Sequence, residues 1–493
     1  MTTYPTPDLI IRNGTVYDGT GAPGRRADVA VTNGRITAIG DAASQAPREI
    51  DATGLAITPG FIDVHTHDDI AVLVEPEMAF KVMQGVTTVV TGNCGSGVIP
   101  FEPAALHFAA RHPGAELRPW QDFAGYLHCI DETAPSLNVA ALVGHGTLRL
   151  GAVTDQERPA TSSELDVMRG RLRDALDAGA VGLSTGLTYH PGRSVQTAEI
   201  IEVARALRDY PGALYASHIR NEGPRFIEAL EEAVAIAETA GVPLQVSHLK
   251  ALGRENWDKI YAAIELLDAA RARGVAATWD QYPYTASSTS LKPVLESGRL
   301  DNFDPSEVLI AAAPEHPAWD GLSIEAINRD WGLAPKQAAE RILAEAGPYT
   351  TIILFVIAED GIEAVMKHPA TMIGSDGIPS PGKPHPRLYG TFAHVLGEYV
   401  RDRRVLELPA AVHRMTGLPA AKFQLTGRGV LEPGAHADLV VFDPARIADV
   451  ATYNEPRQHP AGIRDVFVNG MAVVRDGAHT SARPGKALRR GVD

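Results

Sequence analysis

The residues able to do chemistry in this chain are Asp63, His65, His67, Cys94, His218, His248 and Asp376, each near the downstream end of a short apolar run. In Phe61-Ile62-Asp63-Val64-His65-Thr66-His67 the two-residue period of a strand puts Asp63, His65 and His67 on one face. The later runs end Thr91-Gly92-Asn93-Cys94, Ala216-Ser217-His218, Val246-Ser247-His248 and Gly374-Ser375-Asp376. His218 and His248 lie one strand-helix unit apart in the matched settings YASHIR and QVSHLK, which predicts two imidazoles on adjacent strands at one rim. Imidazole and thiolate suit Zn²⁺ at about 2.0–2.3 Å, with a coordination position left open for water in a catalytic site. Convergence of such groups implies a metallohydrolase.

Each of these residues also has a bland reading. Two histidines on a strand are often ordinary polar residues, and a free cysteine is usually a small buried hydrophobe. Cys94 departs from that reading because NCGSG follows the strand TTVVT and its glycines let the backbone crowd around a site. Cys129, in YLHCID on a predicted helix, is read as structural. Asp376 could cap a turn. At the rim of a last strand it would face the metal, take a proton from water and pass it to a leaving nitrogen. Asp63 is expected to support the metal histidines by hydrogen bonding rather than to bind metal. His145 and His190 stand at strand ends and fit either a pocket wall or a structural role, and His385 and His394 carry less signal.

The elements that must position these groups follow a repeating order. Strand-like runs at about 61–67, 87–94, 138–145, 180–187, 213–219, 243–249, 276–284 and 371–376 alternate with helical stretches such as 163–179, 197–208, 224–240 and 256–273. Eight strand-then-helix units predict an α/β fold, a (β/α)8 TIM-type barrel, over residues 61–425. Residues 1–60 and 426–493 contain short alternating stretches with turn signals at Asn13-Gly14, Asn33-Gly34, Thr53-Gly54 and Asn469-Gly470. They predict one small β-sandwich domain built from both termini. Between the seventh and eighth strands, about 286–369, lies a structured insertion with helix-like PKQAAERILAEAG and strand-like TTIILFVIAE, placed to cover the active face as a lid or a structural flap.

Bulk properties narrow the function. The 493 residues are 45% hydrophobic, enough for a large core and more than one structural unit. A net charge of −15 without a long basic run disfavours nonspecific binding to nucleic acid or anionic membrane. The N-terminus has no signal-like pattern, no run approaches a membrane span, and two cysteines are too few for a disulfide framework, so a cytoplasmic location is expected.

ITPGFIDVHTHDD, the two strand-end histidines, the late SDG and ADLVVFD together resemble the amidohydrolase superfamily. GNCGSG, VGLSTGLTYHPG, SHIRNEG, VSHLKALG, QYPYTASST and HPRLYGTF look like its N-acyl-D-amino-acid deacylase (D-aminoacylase) branch over nearly the whole chain. The resemblance implies one tightly held zinc on Cys94, His218 and His248, and a weaker second site at His65 and His67. It implies hydrolysis of an N-acyl-D-amino acid to a carboxylate and a free D-amino acid, with Asp376 carrying the proton. Lys250, Tyr282 and Arg387, with Ser287 or Ser288 nearby, would hold the substrate α-carboxylate. Lys250 and Arg387 also suit an anionic substrate as cations at the rim, against a reading as solvated surface charges. Many superfamily members bridge two metals with a carboxylated lysine from the fourth strand, whereas that strand here, AVGLSTGL, has none.

Relatives selective for acidic D-amino acids resemble one another in an arginine that is absent here from 287 to 298, so a neutral or hydrophobic side chain is expected. The rival readings are an amidohydrolase acting on a cyclic amide, carbamoyl or dipeptide substrate, and a non-catalytic amidohydrolase-like assembly protein.

Overall fold

The computed structural model of the protein describes residues 6–42, 45–109 and 111–492. Parallel strands Phe61–Asp63, Val86–Thr91 and Asn138–Ala141 pair in that order. The last continues past Leu142 into Val143–Gly144, which opens a second parallel series through Gly182–Gly186, Leu214–His218, Leu244–Val246, Ala277–Gln281 and Thr371–Ile373. The first and eighth strands meet just beyond their ends, where Thr66 bridges Gly377 and the Asp376 N–H donates to the His65 carbonyl at 2.8 Å. Pairing therefore runs around a closed circuit, and every strand delivers its C-terminal end to the same rim.

Local chemistry explains the flanking helices. Ser162–Ala178 starts at a reciprocal cap: Thr161 Oγ1 accepts from the Glu164 N–H and the Glu164 carboxylate accepts from the Thr161 N–H. Phe226–Ala240 turns Ala229, Leu230, Ala233, Val234 and Ala237 toward the strands at helical spacing. Fully buried Phe61 stacks on Phe392 at 5.6 Å and fixes the first strand to helix Arg387–His394, a contact worth roughly 0.5–1.5 kcal/mol beyond burial.

The two ends of the chain join in one nine-stranded sheet that contains Leu9–Val16, Arg25–Thr32 and Arg35–Gly40 from the start and Leu439–Phe442, Ile463–Val468 and Met471–Arg475 from the end. Asn33-Gly34 and Asn469-Gly470 form the expected hairpin turns, with both residues of each pair at positive φ. Asn13-Gly14 differs: it is a bulge within Leu9–Val16, where Asn13 at φ 62° shifts the register and its N–H donates to Asp28. Thr53-Gly54 links two strands, Arg48–Asp51 and Ala56–Pro59, that both run parallel to Leu9–Val16, so it is a bend and not a hairpin.

The insertion after the seventh strand holds an antiparallel sheet, Ser287–Ser290, Thr351–Leu354 and Val308–Ala312 in that spatial order, with helix Pro335–Ala346. Its upper limit is earlier than 369, because helix Glu359–Lys367 packs on the seventh and eighth strands as their ordinary connecting helix. Among the described residues no helix is long and apolar enough to cross a membrane.

Candidate active site

Cys94 is the hub of the rim. Its Sγ lies 3.3 Å from His65 Nε2, 3.5 Å from His218 Nδ1 and 3.6 Å from His248 Nε2. Two groups of donors share it: Cys94 with His218 and His248, and Cys94 with His65, His67 and Asp376, all buried. Burial pushes the Cys94 thiol up, yet His65, His218 and His248 together draw it well below its usual range, toward the thiolate that binds metal. A thiolate enclosed by imidazoles is the donor set that zinc takes, and the residues present fit that ion.

The backbone holds these groups in uncommon conformations. Cys94, His248 and Asp376 have φ of 55°, 35° and 49°, a left-handed region that costs a non-glycine residue of order 1–3 kcal/mol. Neighbouring contacts enforce the Cys94 turn: a Cβ on Gly186 would stand 2.0 Å from the Cys94 carbonyl oxygen, and one on Gly95 would meet the Gly186 nitrogen at 2.5 Å. The cysteine turn thus lies directly on the end of the fourth strand, which carries Ser184 and Thr185 and no lysine.

His65 and His67 follow the first strand instead of belonging to it, because the strand ends at Asp63. Asp376 Oδ1 is 3.1 Å from His67 Nε2 and 3.4 Å from His65 Nε2, while its Oδ2 accepts from Arg387 Nη2 at 2.9 Å. Burial pushes this carboxyl up, but Arg387 and His65 hold it well below the usual range and keep it ionised.

Arg387 is fully buried, its guanidinium 4.4 Å from the Tyr282 ring centroid, and its Nε and Nη1 have no hydrogen-bond partner among the described residues. The Tyr282 hydroxyl is buried and equally unpartnered. Lys250 Nζ stands 5.6 Å from the same ring but is already engaged, donating to Glu222 Oε1 at 2.5 Å and to the His248 carbonyl at 3.1 Å. Ser287 and Ser288 border the cavity with Lys250, Tyr282 and Asp376.

Residues 48–291 and 325–474 match the amidohydrolase family, and the gap in the match falls within the insertion. The chain is 41% identical over 490 residues to a D-aminoacylase from Alcaligenes xylosoxydans xylosoxydans, covering 98% of each. It is 43% identical over 484 residues to an N-acyl-D-glutamate deacylase of the same organism, covering 98% of this chain and 96% of the relative. The chain belongs to the amidohydrolase family. Among solved structures, an N-acyl-D-glutamate deacylase from Bordetella bronchiseptica, complexed with zinc and a phosphonate mimic of the tetrahedral intermediate, superposes with a TM-score of 0.90 at 42% identity. That match covers 98% of this chain and all of the other. A D-aminoacylase structure gives 0.89 at 42% identity, covering 98% of this amidohydrolase and all of that chain.

Asp63 supports His65 through the backbone and not through the ring. Its Oδ2 accepts from buried Lys81 Nζ at 2.7 Å and its Oδ1 from the Ser375 N–H at 2.8 Å and the His65 N–H at 3.4 Å, so it fixes backbone and touches no imidazole nitrogen. Lys81 also donates to Ser375 Oγ at 2.8 Å, which ties the first and eighth strands beneath the site.

The carboxylate that does orient a metal-site imidazole is Asp280, at the end of the seventh strand. Its Oδ1 accepts from His65 Nδ1 at 3.1 Å and from the His248 N–H at 2.9 Å, and its Oδ2 from Gln245 Nε2 at 2.8 Å. Glu222 stands beside the other pair of histidines as a negative charge: Oε1 lies 3.0 Å from His248 Nδ1, which Lys250 Nζ also meets at 2.9 Å, and Oε2 lies 3.7 Å from His218 Nε2, beyond hydrogen-bond distance. Its position four residues after His218 in SHIRNEG was the available signal. Tyr189 presses edge-on against His218 at 4.8 Å.

The other histidines that the sequence singled out stand outside the metal-ligand groups of the amidohydrolase. His145 pairs with Glu199, His190 is exposed, His394 contacts Asp449, and His385 braces the Arg387 backbone. Cys129 packs half-buried against the core.

Proposed function

We propose that the protein is a zinc-dependent deacylase that hydrolyses N-acyl-D-amino acids to a carboxylate and the free D-amino acid. The single observation carrying this reading is the buried Cys94 sulfur among His65, His218 and His248 with the Asp376 carboxylate alongside. We read the parallel circuit, 61–425, as a (β/α)8 barrel and residues 1–60 with 426–493 as a small β-sandwich domain. A cytoplasmic location fits two unpaired cysteines.

Cys94, His218 and His248 hold the tightly bound ion and His65 and His67 a weaker one. Zinc, when bound, supplies Lewis acidity toward an amide carbonyl and a water. Asp376 takes the proton of the attacking water and passes it to the leaving nitrogen. Tyr282 and Lys250 line one side of the cavity, Arg387 stands directly behind Tyr282 and Asp376 with Nε and Nη1 unpartnered among the described residues, and together they bind the substrate α-carboxylate, with Ser287 or Ser288 adding a hydroxyl. Asp280 and Glu222 hold the imidazoles in register.

The side-chain pocket supports two readings. Leu252, Phe303 and Leu354 favour a neutral or hydrophobic D-side chain. Arg299, one residue beyond the stretch that lacks arginine, borders the same cavity and favours an acidic one. N-acetyl-D-leucine turned over at least tenfold faster than N-acetyl-D-glutamate, with Arg299→Ala neutral, supports the first. A glutamate preference lost in Arg299→Ala supports the second.

Cys94→Ala, His218→Ala or His248→Ala should remove most zinc and nearly all activity. A panel that includes hydantoins and dipeptides tests the rival substrates, and turnover of those alone would end the deacylase reading.

A further inference from the structure

Two chain segments leave the metal centre, one after His67 and one after Asp376, and a second cleft opens between them. It has a volume of about 380 Å³, distinct from the cavity that contains Lys250 and Tyr282. Val74, Phe80 and Leu388 give it apolar walls, and Arg111 and His112 close one side. Arg111 Nη1 and His112 Nε2 are buried with no hydrogen-bond partner among the described residues. Leu388, on the cleft wall, packs against Gly377 next to Asp376, which sets the cleft beside the metal centre. Arg457 braces the opposite wall, donating to the Ser380 carbonyl at 2.7 Å.

Amide hydrolysis makes two carboxylates from one, the amino-acid half leaving as a zwitterion. The α-carboxylate of the amino-acid half has Arg387 and Lys250 on the Tyr282 side, which leaves the acyl half without a side-chain cation of its own there. We infer that the cleft bordered by Arg111 is the acyl subsite: Arg111 meets the acyl carboxylate, and Val74, Phe80 and Leu388 receive an aliphatic chain. This assignment rests on the deacylase reading for its biology, but it concerns binding of a simple carboxylate.

The test is titration calorimetry of the zinc-loaded full-length protein with acetate, butyrate and hexanoate, which needs no turnover. Affinity should rise with chain length by up to about fourfold per methylene. Arg111→Gln, which keeps much of the side-chain length, should weaken all three by about tenfold or more. Ala115→Trp, at the exposed edge of the cleft, should abolish the chain-length gain and leave acetate unchanged. Unchanged affinities in Arg111→Gln, or a chain-length gain that survives Ala115→Trp, would overturn the assignment. Carboxylates binding as expected to a protein that cleaves no N-acyl-D-amino acid would keep the subsite and sink the deacylase reading; deacylase activity with flat, mutation-insensitive carboxylate binding would do the reverse.

Discussion

Replacing Asp280 with asparagine isolates the contribution of a carboxylate that binds no metal. Asp280 Oδ1 accepts the His65 Nδ1 proton at 3.1 Å, which leaves Nε2 as the lone-pair donor facing Cys94 Sγ and Asp376. The amide of Asp280→Asn keeps the shape and one oxygen acceptor but loses the charge. A hydrogen bond to an ionised acceptor is worth about 1.5–3 kcal/mol against about 0.5–1.5 for a neutral one. The difference, about 1–2 kcal/mol, corresponds to roughly five- to thirtyfold in affinity. That overlaps the lower end of the roughly 10–100-fold range for partners of metal-bound histidines. The effect should fall on the weaker ion, because Asp280 meets the His65 ring but only the backbone of His248. The assay is zinc titration against a calibrated chelator, run with kcat/KM on an N-acetyl-D-amino acid. Two zinc affinities identical to wild type would refute the reasoning, as would loss of the tight site with the weak one untouched.

Asp376→Ala should abolish turnover while zinc remains near the wild-type content by metal analysis; loss of metal would make Asp376 a required ligand. Arg387→Met should raise KM by tenfold or more and also destabilise the fold by about 3 kcal/mol, because it leaves buried Asp376 without its cation; an unchanged KM would remove Arg387 from carboxylate binding. His112 titrates near pH 4, pushed down by burial and by Arg111. An unfolded histidine protonates at about 6.5, so between those values the unfolded chain holds the extra proton and stability falls as pH drops. This contribution, of order 2–3 kcal/mol, is complete above pH 6.5 and lost toward pH 4. Chemical denaturation of His112→Phe beside wild type should show the wild type losing stability relative to the variant as pH falls over that window; parallel pH curves would contradict it.

The clustering of Cys94, His218 and His248 was legible because strand ends are local signals. His218 and His248 each follow an apolar run and precede a helix, and the glycines around Cys94 announced a crowded turn that Gly186 now explains. Asp280 was not legible, since its partner is 215 residues away and a lone acid in ATWDQYPY has no periodic signature. Asp63 was legible in part: alternation placed it on the face of His65, whose backbone N–H it accepts, while buried Lys81 holds its other oxygen. The strand was expected to reach 67 and stops at 63, where the backbone turns toward the eighth strand through Thr66 and Gly377. Asn13-Gly14 resembles a hairpin turn in any local window; only the pairing of Leu9–Val16 across it makes it a bulge. The insertion was recognisable by its length, whereas Arg299 at the cavity depended on how its sheet and short helices fold back over the rim.

The most direct measurement is hydrolysis of paired N-acetyl-D- and N-acetyl-L-methionine by one preparation, first stripped of metal with a chelator and then restored with zinc. Cleavage of the D-isomer alone, absent from the stripped protein and recovered on adding zinc, is the predicted result. Preferential cleavage of the L-isomer, or full activity without metal, would contradict the account.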